Sequence, residues 1–169
     1  MKKELSVFTI IIFLLLGCSK TSDKEYLDKA SEDIKNGNIS EAIIAYEKLV
    51  EEYPESNLAA EALVKEATLY HSNMVKNISK EESLKKAADI FYSVAEKYPK
   101  SKQAPQSLFM AGFIYANELQ NYEGAKKAYN LFIKKYPGHD LSASAKDELE
   151  NMGLTPDEIL KRKTATSEK

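Results

Sequence analysis

The dipeptide Tyr-Pro occurs three times in this chain, and each copy ends a stretch with helical spacing. The copies are Tyr53-Pro54, Tyr98-Pro99 and Tyr136-Pro137, with 45 and 38 residues between successive prolines. Small or apolar residues stand 12, 8 and 5 positions before every one of these prolines: Ala42, Tyr46, Leu49; Ala87, Phe91, Val94; Ala125, Tyr129, Phe132. Steps of four and three residues keep side chains on one face of a helix. Because proline cannot continue a helix, each copy predicts a helix that ends in a turn.

The helices after the turns repeat as well. Matching residues stand 9, 13 and 16 positions after the first two prolines: Leu63, Ala67, Tyr70; Leu108, Gly112, Tyr115. Two recurring helix faces define a helix-turn-helix unit that buries its apolar side only against its neighbours. The sequence therefore predicts an all-α fold, an α-solenoid of three helix hairpins with one or more capping helices at the C-terminal end.

Capping signals and composition support long helices. Ser22, Ser79 and Thr155 each stand three residues before a glutamate, the pattern of a capping box that starts a helix. Only six glycines and five prolines are present, few for a β-sandwich with its many tight turns. We predict helices at about 24–35, 40–53, 57–75, 80–98, 102–119, 122–136, 141–151 and 156–161.

The third unit resembles a known family. Its pattern is Gly112-x-x-Tyr115, followed by Tyr122-x-x-Ala125-x-x-x-Tyr129-x-x-Phe132-x-x-x-Tyr136-Pro137, and residues 91–101 are similar to the end of a preceding unit. This pattern resembles a tetratricopeptide repeat, and the resemblance covers about residues 26–153. In detail it is similar to two groups of envelope proteins: the periplasmic protein associated with the Tol-Pal system, and the repeat lipoprotein of the outer-membrane β-barrel assembly machinery.

The resemblance implies a concave groove, lined by the first helix of each hairpin, that binds extended or helical segments of other proteins. Transferred by offset, the groove positions are Val64, Thr68 and His71 in hairpin two, and Gln106, Phe109, Phe113 and Asn117 in hairpin three. Phe109 and Phe113 are the informative pair, because Leu108, Gly112, Tyr115 and Leu119 already supply the core face of their helix.

Three groove residues have other interpretations. Phe109 and Phe113 are equally consistent with packing against a neighbouring hairpin. His71 is either a pH-sensitive or ligand-facing group or, as favoured here, a solvated histidine at the negative end of a helix dipole.

The N-terminal segment predicts export and lipid attachment. Lys2 and Lys3 precede an apolar run over 5–16 that covers roughly 18 Å as a helix, short of the roughly 30 Å hydrocarbon core. It is typical of a signal peptide. The run ends in Leu15-Leu16-Gly17-Cys18, which resembles a bacterial lipobox and implies a diacylglyceryl group on Cys18 and cleavage before it. Ser19 then implies release to the outer membrane in a two-membrane cell. The alternative is an ordinary signal peptide with an incidental cysteine.

These signals divide the chain into four parts. They are a lipoprotein signal peptide over 1–17, a lipidated tether over 18–23, the repeat domain over 24–153, and a capping helix with a disordered polar tail over 154–169.

The composition argues against several classes of function. With 24 basic and 26 acidic residues the net charge is -2, which argues against a nucleic-acid partner. One cysteine and two histidines leave no Cys/His metal cluster, and no phosphate loop, nucleophile elbow or carboxylate pair is apparent. We expect no enzyme activity, metal, cofactor or small-molecule substrate, the acyl lipid on Cys18 aside.

The predicted function is a lipid-anchored envelope scaffold that binds other envelope proteins or their segments. A narrower alternative is a component of outer-membrane protein assembly or of Tol-Pal-linked constriction. Alternatives from other classes are a self-associating spacer and a peptidoglycan-acting enzyme.

Overall fold

The computed structural model describes residues 20–167, so Cys18 and the predicted signal peptide lie outside the described residues. This part of the chain contains helices and no strand. The α-helices are α1 (Asp23–Lys35), α2 (Ile39–Glu52), α3 (Ala59–His71), α4 (Lys80–Lys97), α5 (Ala104–Phe113), α6 (Tyr122–Lys135), α7 (Ser142–Asn151) and α8 (Pro156–Ser167). A π-helical segment, Ile114–Glu118, continues α5.

Packing runs from each helix to the next along the chain. Helices α1 and α2, α3 and α4, and α5 and α6 form three hairpins, and α2 packs on α3, α4 on α5 and α6 on α7. This arrangement is a tetratricopeptide-like α-solenoid, so the predicted fold class is confirmed.

The repeat positions form the core. All nine residues upstream of the Tyr-Pro turns are buried, and Tyr46, Tyr129, Leu49 and Phe132 are among the largest side chains removed from solvent. The glycine of the third unit marks a close approach, because a Cβ at Gly112 would lie 2.7 Å from the Tyr129 ring. The outer side of α1 carries exposed charged residues, as the end of a solenoid requires.

The turns between hairpins line up along one side of the solenoid. The Tyr53 hydroxyl donates to the carbonyl of Thr21 at 2.7 Å, and the Tyr136 hydroxyl donates to the carbonyl of Pro99 at 3.1 Å. Each bond ties one level of the stack to the level before it. We call this side the turn edge: residues 53–58, 98–103 and 136–141, with residues 20–22 beside the first turn.

Three boundaries differ from prediction. Helix α3 ends at His71 rather than near residue 75, because Asn73 and Asn77 adopt left-handed backbone conformations, with φ of 54° and 65°. The predicted helix over 102–119 begins two residues later and changes to π-helical geometry at Ile114. At the C-terminal end, α8 runs to Ser167. The predicted end of this helix was near residue 161.

No helix within residues 20–167 has both the length and the apolar character needed to cross a membrane.

Candidate partner-binding surface

Helix α3 presents three of the predicted groove residues on one face. Val64 is half-buried, and Thr68, one turn later, is exposed with its hydroxyl donating to the Val64 carbonyl at 2.7 Å. His71 ends the helix, half-buried. This face is mildly apolar and has its hydroxyl group satisfied internally.

Helix α5 and its π-helical continuation present the next part of the surface. Gln106 and Asn117 are exposed, and Phe113 between them is 37% exposed. The Asn117 amide donates to the Phe113 carbonyl at 3.3 Å. An aromatic ring flanked by two amides is thus available to a partner.

Phe109 does not share this position. Its ring meets the Tyr129 ring edge-on with centroids 5.5 Å apart, and the Phe132 ring with centroids 6.0 Å apart. The half-buried ring of Phe109 thus packs inside its own hairpin, against α6, and not against a neighbouring hairpin. It is less available to a partner than Phe113, which is exposed.

The π-helical segment joins hairpins two and three. At its end the amide of Leu119 donates to the carbonyl of Ile114 at 3.0 Å, five residues back. The wider turn adds a residue relative to an α-helix, and its side chains reach two neighbouring helices. Glu118 accepts a 2.7 Å contact from Nε2 of His71, and the hydroxyl of Tyr115 donates to the carboxylate of Asp89 on α4.

His71 at the end of α3 keeps 30% of its side-chain surface exposed and is paired with Glu118. Its contact with Glu118 holds the ends of α3 and of the π-helical segment side by side, so the exposed faces of the two helices form one surface at this end. No local sequence pattern indicates this pair, because its members are 47 positions apart.

The raised pKa values of two side chains beneath this surface, Tyr115 and Glu66, were also not predicted. Burial and the hydrogen bond to Asp89 raise the pKa of Tyr115 above its ordinary range, which keeps the phenol protonated as a donor. Glu66 on α3 is 6% exposed. Burial raises the pKa of its carboxyl to about 7, with repulsion from Glu47 on α2 adding to the shift and Lys97 on α4 opposing it.

The surface offers apolar contact and hydrogen bonding rather than reactive groups. Within residues 20–167 no three His, Cys, Asp or Glu side chains are grouped to hold a metal ion. A partly exposed aromatic ring with nearby amides suits a peptide segment, whose side chains and main chain offer matching groups.

Comparison with known families agrees with this geometry. Residues 27–56 and 106–139 match the tetratricopeptide repeat family. The first match covers most of α1, all of α2 and the first turn, and the second covers α5 from Gln106 through α6 to the third turn. No curated protein matches the chain.

The hairpin between the two matches is not itself matched, and it contains the longer connection over residues 72–79. Proteins built from these repeats generally serve as adaptors for other proteins and not as enzymes. The first and third hairpins of this solenoid are thus similar to tetratricopeptide repeats, which supports a protein-interaction scaffold.

Proposed function

We propose that this protein is a lipid-anchored scaffold of the bacterial cell envelope, facing the periplasm from the outer membrane, without catalytic activity or a cofactor. It holds segments of other envelope proteins on the surface formed by α3 and α5. The observation that carries the binding role is the exposed ring of Phe113 between Gln106 and Asn117.

The ring of Phe113 contributes binding energy when a partner covers it. Full burial of a phenylalanine side chain contributes about 1.5–3 kcal/mol, and Phe113 keeps 37% of its surface for a partner to cover. Binding energy at protein interfaces concentrates in a few such anchors surrounded by polar contacts. Gln106 and Asn117, on either side of Phe113, are exposed and supply those contacts.

The anchor is supported by the sequence at residues 15–18. A thiol directly after an apolar run and a glycine is where a lipidated cysteine stands. Two acyl chains attach a protein stably to a bilayer, whereas one alone binds marginally. We propose Cys18 as the acylated residue.

Site-directed photocrosslinking in intact cells tests the binding role. A crosslinker at Asn117 is expected to trap defined envelope proteins, and Phe113→Ala to reduce the yield at least five-fold with the circular dichroism spectrum unchanged. Ile44→Ala is the matched control, because Ile44 is an apolar side chain exposed at 49% on α2, outside the proposed surface.

Loss of crosslinking with Ile44→Ala but not with Phe113→Ala would move the binding face to α2. Trapping of a second copy of this chain alone would favour the spacer. The identity of a trapped partner decides between the two narrower roles, outer-membrane protein assembly and Tol-Pal-linked constriction.

Mass spectrometry of the membrane-bound protein tests the anchor. The expected N-terminal peptide begins at Cys18 and carries acyl groups, and Cys18→Ala should leave the chain uncleaved. A mature protein with an unmodified thiol, recovered in the soluble fraction, would contradict the anchor and leave the binding role to be judged by its own experiment.

A further inference from the structure

We infer that the turn edge of the solenoid lies against the membrane surface, with lysines near the second and third turns contacting anionic lipid headgroups. The inference rests on the proposed lipid anchor at Cys18. It adds an orientation and a second partner, the bilayer surface itself.

From Lys20 onward, the chain is held against the first turn. The ammonium of Lys20 lies 4.5 Å from the centre of the Tyr53 ring and 3.6 Å from a carboxylate oxygen of Glu52. The Thr21 carbonyl accepts the Tyr53 hydroxyl bond, and Asp23 accepts a 2.5 Å bond from the Ser56 hydroxyl. Four contacts therefore fix the start of the fold to one turn.

The tether that remains between Cys18 and Lys20 is short. Cys18 and Lys20 are two residues apart, so at most about 7 Å of chain joins the lipidated residue to the first fixed one. That length is less than the width of one helix with its side chains, roughly 10–12 Å. The first turn must then lie at the level of the headgroups.

The turn edge carries a net positive charge. Five lysines are exposed at or next to the second and third turns: Lys97, Lys100, Lys102, Lys134 and Lys135. Glu96 and Asp140 are exposed beside them, and the first turn adds the exposed Lys20, Glu51 and Glu55. The exposed charges of the turn edge therefore have a net value of +2. Lysines near an anionic bilayer are attracted to it.

The opposite side of the solenoid has the opposite balance. Three exposed lysines lie near the turns within the hairpins: Lys35, Lys76 and Lys80. Exposed glutamates outnumber them there: Glu41, Glu81, Glu82, Glu118 and Glu123. Glu82 and Glu123 are paired with Lys86 and Lys126, so an anionic surface attracts the turn edge more strongly than the other side.

This orientation stands the helices upright on the bilayer. Phe113 lies nine residues beyond the start of α5, roughly 14 Å from the turn edge at 1.5 Å per residue. The proposed binding surface would then face sideways along the membrane, within reach of proteins embedded in it.

Vesicles with a chemically supplied anchor test the orientation. The chain from Cys18 to Lys169 contains every described helix and the whole described core, and Cys18 is its single thiol. It can be coupled to a maleimide lipid in vesicles of phosphatidylcholine with or without phosphatidylglycerol. The chain has no tryptophan, so one introduced tryptophan reports its own distance from headgroup-nitroxide lipids.

Gly138→Trp places the reporter on the third turn, where an added Cβ meets no atom within 4 Å. Asn36→Trp places it at an exposed position on the opposite side. With phosphatidylglycerol we expect quenching of Gly138→Trp at least three-fold greater than that of Asn36→Trp, and a decrease of this difference with added salt.

Charge reversal at Lys97, Lys100 and Lys102 to Glu should abolish the phosphatidylglycerol-dependent part of the quenching. The same reversal at Lys35, Lys76 and Lys80 changes the net charge equally and should leave it intact. Equal quenching at the two reporter positions, or equal effects of the two triple variants, would overturn the inference. Because the lipid is supplied chemically, these outcomes are independent of whether cells acylate Cys18.

Discussion

Glu66 is a carboxylic acid in a helix core of alanine, leucine and tyrosine. It lies next to Ala67, a repeat position that is fully buried, and it is itself 6% exposed. The fold favours its protonated form, because burial raises its pKa from the ordinary value of 4.5 to about 7. The carboxyl therefore links the stability of the middle hairpin to pH.

The sign of this linkage gives a prediction. Below pH 4.5 the carboxyl is protonated in both folded and unfolded chains, so it causes no pH dependence. Between about pH 4.5 and 7 only the unfolded chain loses the proton, so the free energy of unfolding falls as pH rises, by roughly 3 kcal/mol in total. In urea unfolding across this range, the free energy of unfolding of Glu66→Gln relative to that of the wild type should increase as pH rises.

Glu47→Gln serves as the comparison, because it removes a repulsive neighbour of Glu66. It should lower the pKa of Glu66 and give a smaller gain of the same sign. Parallel pH profiles for the wild type and Glu66→Gln would contradict the coupling.

Gly112 shows the opposite kind of constraint, one of space. A Cβ at this position would lie 2.7–2.9 Å from three atoms of the fully buried Tyr129 ring. Overpacking of a core costs about 1–3 kcal/mol, against a helix-propensity gain of about 1 kcal/mol on replacing glycine by alanine. We expect Gly112→Ala to lose up to about 2 kcal/mol of unfolding free energy in chemical denaturation.

Gly138→Ala is the control for this effect. It adds the same atom in open space and should change the unfolding free energy by less than about 0.5 kcal/mol. A stabilising Gly112→Ala, with a gain of about 1 kcal/mol, would show that the Tyr129 ring moves aside without cost.

At the scale of the element, periodicity predicted what depends on local pattern. The Tyr-Pro turns ended α2, α4 and α6 within a residue of expectation, because proline removes a helix donor wherever it stands. The side chain of Ser22 caps α1 and that of Ser79 caps α4, as the capping boxes predicted.

What depends on tertiary contact was not predictable. The π-helical segment follows an ordinary helical sequence, and Phe109 and Phe113 are identical residues one turn apart. Only the aromatic rings of α6 distinguish them. The distant pairs His71 with Glu118 and Tyr115 with Asp89 likewise join helices that no local pattern connects.

The bridge from α3 to the π-helical segment can be measured by a double-mutant cycle. His71 and Glu118 keep 30% and 27% of their side-chain surface exposed, so we expect a coupling free energy of about 0.2–1 kcal/mol. His71→Ala, Glu118→Ala and the double variant should yield it from urea unfolding at low salt. Coupling near zero would assign the ends of the two helices to apolar packing alone.

At the scale of the whole molecule, the two C-terminal helices contribute unequally. Helix α7 packs on α6 through buried residues that include Ala145. Helix α8 leaves Leu160 64% exposed and is joined to the end of α7 by the bond from Arg162 to the Glu150 carbonyl. Helix α7 is thus the structural cap.

Truncation distinguishes the two roles. Removal of residues 156–169 should change the unfolding free energy by less than about 1 kcal/mol, whereas removal of residues 142–169 should cost more than about 2 kcal/mol because it uncovers apolar surface of α6. Thermal unfolding followed by circular dichroism at 222 nm measures both. Equal losses would mean that α8 contributes to the cap.

The order in which the helices pack along the solenoid also determines the order in which they can fold. Each helix packs mainly on its predecessor and its successor, so contacts are short in sequence and loop closure is inexpensive, a topology that folds quickly. A chain that emerges N-terminus first during synthesis completes α1 with α2 before α3 arrives, and every later helix finds its docking surface already formed. Stepwise folding of this kind leaves little apolar surface without a partner, which protects the chain from aggregation before its last helices are made.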